Sequence, residues 1–304
     1  SGSNHVASPH QRRNYWCFVV EGGSFLGGMS FIGAETVLPA MVEELGGSRS
    51  LIAYLPVLMW VGILGPSLFV AHRVENLDRI KPYVMFWTLL QRLPFPLAGL
   101  ILFFFGQELP NLALAAVVAA PFLSGIMGGM SLPGWFTLTG RTIGARRRSS
   151  AGALRNLIGS GIGFGAGFAV DQVMSAYPGE QGYAMLHFIT AALMVISWLF
   201  LGGIKEAENP HPMGSTPRTM FDTFRSIPEL LRARPRIACL LSARFFSTGY
   251  FLVVPFLSVH ALEVTGEPRS FVGSMVSAQM IGGLAGNITA GIIGDRYGAK
   301  GVAF

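Results

Sequence analysis

Long apolar stretches, separated by short polar or glycine-bearing connections, run the length of the chain. Eight of them approach or exceed the about 20 residues that an α-helix needs to cross a hydrocarbon core: 15–42, 51–71, 83–105, 112–139, 151–174, 183–203, 236–262 and 270–293. They are apolar on all faces and do not alternate with a period of two, so spanning helices are expected rather than barrel strands. The pattern predicts an all-α, polytopic membrane helix bundle. Several stretches exceed the minimum length, which permits tilt.

One interruption differs from the others. Residues 204–235 are long, polar and punctuated by Pro210, Pro212, Pro217, Pro228 and Pro235. Within them Met220, Phe221, Phe224, Ile227 and Leu231 recur at helical spacing beside Arg225 and Arg232. That spacing suits a short amphipathic helix on a membrane surface; a flexible tether is the other reading. The expected division is a tail over 1–14, a first set of helices over 15–203, a linker over 204–235 and a second set over 236–304.

Composition supports the membrane class. The 304 residues are 51% hydrophobic and 12% charged, where an ordinary soluble domain has about 25% charged residues. The net charge of +6 would suit a nucleic-acid partner, but its placement does not. With the N-terminus inside, 18 of the 22 Lys and Arg fall in inside segments, counting Arg155 with Arg141 and Arg146–Arg148. Arg49 and Arg269 lie outside, and Arg92 and Arg244 lie within spans. This bias predicts a cytoplasmic N-terminus in a plasma or inner membrane and makes Arg146–Arg148 a headgroup-facing loop. The first apolar run is too long for a cleavable signal peptide and lacks a small-residue cleavage pattern. Cys17 and Cys239 set no disulfide framework. No metal-ligand spacing, Walker loop or Ser-His-Asp set is visible, so neither an enzyme nor a metal or cofactor is expected.

An internal repeat relates the two sets of helices. A shift of 220 residues lays Arg49-Ser50-Leu51-Ile52 on Arg269-Ser270-Phe271-Val272, Gly62 on Gly282 and Glu75 on Asp295. The last apolar stretch ends in Gly291-Ile-Ile-Gly-Asp295-Arg296-Tyr-Gly298-Ala-Lys300. A hydrophobic helix closing in Gly-Asp-Arg-x-Gly-x-Lys resembles the cytoplasmic signature loop of the major facilitator superfamily of secondary transporters. In the first set its counterpart is altered: His72-Arg73 and Glu75-Asn-Leu-Asp78-Arg79 stand there, and either Glu75 or Asp78 takes the Asp role. The resemblance implies two six-helix halves, so about eight helices of an expected twelve, and a fragment lacking about four. It also implies a gate formed by Gly291, Asp295, Arg296, Gly298 and Lys300 with Glu75, Asp78 and Arg79.

Ionisable groups inside spans cost a few kcal/mol and usually have a partner or a job. Glu21 and Glu35 lie on the first helix 14 residues apart, which would put them on nearly one face. Arg92 and Arg244 lie within the third and seventh. In the resembled family the first and seventh helices line the central cavity, which favours Glu21, Glu35 and Arg244 there, with Arg92 as a partner for a carboxylate such as Glu21. Burial favours a neutral carboxyl and a nearby guanidinium favours the charged form, so a moving Arg–Glu pair can take up and release a proton. The fifth helix carries Gly159, Gly163 and Gly167 in one stripe, a small-xxx-small packing face. It lacks the Gly-Pro motif of the family's drug antiporters, and the fourth lacks their early Arg.

The expected function is therefore secondary active transport of a small solute by alternating access, coupled to an ion and above all to protons. Its partners are the solute, membrane lipid and a coupling proton, with no nucleic acid; a monomer is expected. The alternative is a transporter-like sensor or scaffold without transport.

Overall fold

The computed structural model describes residues 10–75, 77–206, 220–247 and 249–297. Among them six helical stretches are long and apolar enough to cross a membrane. The first is not one helix. It comprises α1 (Gln11–Met29), a 3-10 turn (Ser30–Ile32) and α2 (Val37–Glu44), with Gly33 extended between them at φ −54°, ψ 127°. The second is α3 (Arg49–Glu75). The third divides into α4 (Lys81–Arg92) and α5 (Pro94–Phe105), because Pro94 has no N–H to continue the α4 ladder. The fourth to sixth are α6 (Pro110–Thr142), α7 (Ala145–Ala176) and α8 (Glu180–Gly203). There follow α9 (Met220–Ala233), α10 (Pro235–Ser247), α11 (Tyr250–Thr265) and α12 (Val272–Tyr297). Pro121 and Pro133 lie inside α6 without ending it.

Glycines let these helices approach closely. A Cβ on Gly62 of α3 would lie 2.9 Å from the Phe122 carbonyl oxygen of α6, and one on Gly125 of α6 would lie 2.7 Å from that of Met59. On α7, Gly159 packs against Leu26 of α1, Gly163 against Ser30 and Met280, and Gly167 against Gly273 and Ser277 of α12. The stripe thus faces α1 at one end and α12 at the other.

The main core lies at the end of the bundle away from the α1 N-terminus. Val37, Leu38 and Met41 of α2, Ile52 and Leu55 of α3 and Val170 of α7 bury there with Val259 and Leu262 of α11 and Val272 and Val276 of α12. The other end is rich in arginine and is called the basic end below. Aromatic and aliphatic side chains such as Trp60, Phe69, Phe104 and Leu199 point outward, as a lipid-facing surface requires.

Candidate functional site

The in-span charges do not form one site. They separate into three layers, and the break between α1 and α2 is the first reason. Glu21 and Glu35 cannot share a face, because the helical register that would align them ends at Met29. Glu21 is buried among the first six spans. Glu35 lies in the non-helical link before α2 and meets α12.

In the first layer, Arg92 reaches Glu21 across the bundle, with its Nη2 3.7 Å from Oε1. Both side chains are 6% exposed. The guanidinium also donates to the Met194 carbonyl at 3.0 Å, the Thr88 carbonyl at 2.7 Å and the Ser197 hydroxyl at 2.8 Å. It stands over the Phe25 ring, 5.4 Å from the centroid. Arg92 is therefore fixed to α4 and α8 whatever Glu21 does. The carboxylate is less firmly held: Oε2 is buried and accepts no hydrogen bond.

Arg155 approaches from α7 and acts on the same carboxylate by its charge. Its guanidinium stacks over Trp135 at 5.0 Å and Phe18 at 5.7 Å. Its Nε is buried without a hydrogen-bond partner. The stem lies against Gly22, where any Cβ would occupy its space. Arg155 is thus no loop charge. It is ten residues into α7, about 15 Å along at 1.5 Å per residue.

The second layer joins α11 and α12 to the first six spans. The Gln279 amide on α12 donates to Glu35 Oε2. Arg49 at the start of α3 pairs with Glu263 of α11 at 2.5 Å, with both side chains exposed. The Ser277 hydroxyl donates to the Phe164 carbonyl at 3.3 Å, beside the Gly167–Gly273 crossing.

The third layer lies at the basic end. Glu206, just after α8, accepts from the backbone N–H groups of Ile80 at 3.0 Å and Lys81 at 2.8 Å, and pairs with Arg141 at 3.3 Å. It caps α4, whose Ile80 offers no side-chain cap, and a carboxylate suits a helix N-terminus. Arg141 also donates to the Asp78 carbonyl at 3.3 Å, and Asn14 and Lys205 exchange two hydrogen bonds of 2.9 Å. Neither Glu206 nor Arg141 stands out in the sequence; the uncapped start of α4 is the signal that could have found Glu206. Asp78 and Arg79 are exposed beside this network. Gly291, Asp295 and Arg296, expected in a loop, lie in the last turns of α12; the side chains of Glu75, Arg244, Asp295 and Arg296, and all of Gly298 and Lys300, lie outside the described residues.

Buried charges stratified through a bundle of apolar helices, with glycine crossings where its parts meet, describe a polytopic membrane helix bundle. The chain belongs to the Major Facilitator Superfamily, whose family profile matches residues 20–304. It is accordingly an integral, multi-pass membrane protein of a family of secondary transporters, carriers and not enzymes. Its fold is shared by a structure described as a D-xylose-proton symporter, with a TM-score of 0.63 and 12% identity. That likeness covers 93% of this chain and 69% of the symporter. No curated protein matches.

Proposed function

We propose that the protein carries a small solute by alternating access coupled to protons, and that the structure represents its inward-facing arrangement. The observation that carries this reading is the asymmetry of the seam between the first six spans and α11–α12. At one end Glu35–Gln279, Arg49–Glu263 and the glycine crossing hold the two parts together. Towards the basic end the helices part around a cleft lined by Leu154, Leu157, Ser160 and Leu284. The clustering of Lys and Arg makes that end cytoplasmic by the positive-inside rule.

Glu35 is the proposed coupling residue. It is a carboxylate that links the two moving parts directly, so a proton on it weakens the closed end. Glu21 is a second proton site, poised between Arg92 and Arg155. Arg244 on α10 is the proposed anchor for an anionic solute, and the signature segment that closes α12 and follows it is a gate that must open in each cycle.

The test is reconstitution into proteoliposomes containing a pH-sensitive dye, followed by a panel of sugars, amino acids and organic anions. One or more solutes should drive proton movement, and Glu35→Gln should abolish it while solute exchange persists. Absence of any solute-dependent proton or tracer flux would overturn the transport reading. Solute flux indifferent to a pH gradient would overturn the coupling alone.

A further inference from the structure

We propose that the seam between α1, α7 and α12 binds an anionic phospholipid, its phosphate between Arg12 and Arg147 and an acyl chain in the apolar cleft beyond. Two clefts meet here. One, of about 660 Å³, is lined by Gln11, Arg12, Tyr15, Trp16, Arg147 and Ser150. The other, of about 680 Å³, continues along Ala153, Leu154 and Leu157 of α7 to Leu284 of α12. They share Tyr15 and Ser150, whose hydroxyls are 3.5 Å apart. The two form one groove, cationic at the basic end and mainly apolar towards the middle of the membrane, with Asn156 and Ser160 as the polar part of that lining. That polarity matches a phospholipid lying parallel to the helices.

The arginines differ in what they are free to do. Arg92 is saturated by protein acceptors, and Arg155 is stacked inside the bundle. Arg141 is paired with Glu206, and Arg148 donates to the Ile143 and Gly140 carbonyls. Arg12 and Arg147 are exposed, and among the described residues neither is paired with a carboxylate. Both border the groove. Trp16 beside them is 49% exposed, and an indole at this level sits among headgroups. A free phosphate would satisfy the arginines and leave the apolar half unfilled; an acyl chain fills it.

The purified protein in detergent, given equal phosphatidylglycerol and phosphatidylcholine, is read by native mass spectrometry, independently of any transport. One phosphatidylglycerol should be retained in preference. Each exposed arginine near a membrane contributes about a fivefold preference for anionic lipid. Arg12→Gln or Arg147→Gln should therefore weaken retention about fivefold, and the double variant about 25-fold. Arg232→Gln on α9 should leave it unchanged. Ala153→Phe, which fills the cleft, should also release the lipid; Leu157→Trp does the same at a half-exposed position should the first variant misfold. Equal retention of the two lipids, or indifference to the arginine variants, would overturn the proposal. Displacement by millimolar inorganic phosphate with no effect of the cleft-filling variants would make it a soluble-phosphate site and overturn the lipid assignment.

Discussion

The Glu21–Arg92 pair is unequal, and the inequality is measurable. Arg92 holds three protein acceptors at 2.7–3.0 Å, each worth about 1.5–3 kcal/mol for a charged donor. Glu21 is stabilised by the charge of Arg155 and by the Trp135 side chain, and its contact with Arg92 is at 3.7 Å, beyond hydrogen-bond distance. At an effective dielectric of about 20, that contact supplies roughly 4 kcal/mol of attraction. Desolvating the carboxylate costs several kcal/mol and offsets most of it. Glu21→Gln keeps the volume, removes the charge and leaves Arg92 its acceptors, so it should cost about 1 kcal/mol. Arg92→Gln removes the nearer guanidinium from a buried carboxylate, leaves it only the charge of Arg155 and takes the Ser197 hydroxyl's donor away, so it should cost about 3 kcal/mol, the low end for breaking a buried pair.

Unfolding in mixed detergent micelles titrated with sodium dodecyl sulfate, followed by far-ultraviolet circular dichroism, compares the variants directly. A Glu21→Gln cost equal to that of Arg92→Gln would refute the reasoning. It would mean that the ion pair holds Arg92 and that the α8 acceptors do not. Arg92→Lys separates charge from geometry: it keeps the cation but not the fork, and should recover less than half of the loss.

Three further perturbations probe the other layers. Glu206→Ala leaves two N–H groups of α4 and the Arg141 guanidinium without their acceptor and should cost about 2–4 kcal/mol, with faster proteolysis in the connection before α4 than in the wild type. Arg49→Gln removes an exposed pair and should cost no more than about 1 kcal/mol; a double-mutant cycle with Glu263→Gln should show the coupling shrinking in high salt. Gly167→Leu drives a side chain into Gly273 and Ser277 and should lower the thermal midpoint, whereas Gly165→Leu, with nothing described within 4 Å of its Cβ, should not.

Six of the eight expected spans were legible in the sequence, because burial in lipid leaves long apolar runs whatever their packing; the stretch 236–262 divides instead into α10 and α11. The Glu21–Arg92 pairing was legible for a related reason: a charge inside such a run needs a partner, and few candidates exist. The break at residues 30–36 was not. Ser30-Phe31-Ile32-Gly33 reads as more apolar helix, and a lone glycine there looks like one more packing contact. Arg155 was missed through a boundary. The apolar stretch begins near Ala151, while α7 begins at Ala145, so a residue more than two turns inside the helix looked like part of a basic loop. Glu206 was hidden because it follows a helix in polar sequence, and only the fold brings it to the start of α4.

The layers differ in what alternating access would ask of them. Glu206–Arg141 and Glu21–Arg92 lie within the first six spans and need not break when two halves rock. Glu35–Gln279 and Arg49–Glu263 run between the parts and must. The exposed ion pair supplies no more than about 1 kcal/mol, so the closed end is weakly latched by charge and held mainly by Val37, Leu38 and Met41 against Val259, Leu262 and Val276. An amide donating to a carboxylate is worth about 1.5–3 kcal/mol, and to a neutral carboxyl about 0.5–1.5. On the proposed reading, a proton on Glu35 therefore shifts the closed end towards opening by about 1 kcal/mol, roughly fivefold in population. Such a shift biases a cycle without locking it, which suits a coupling carboxylate at the seam, with Glu21 inside the first six helices as the second proton site.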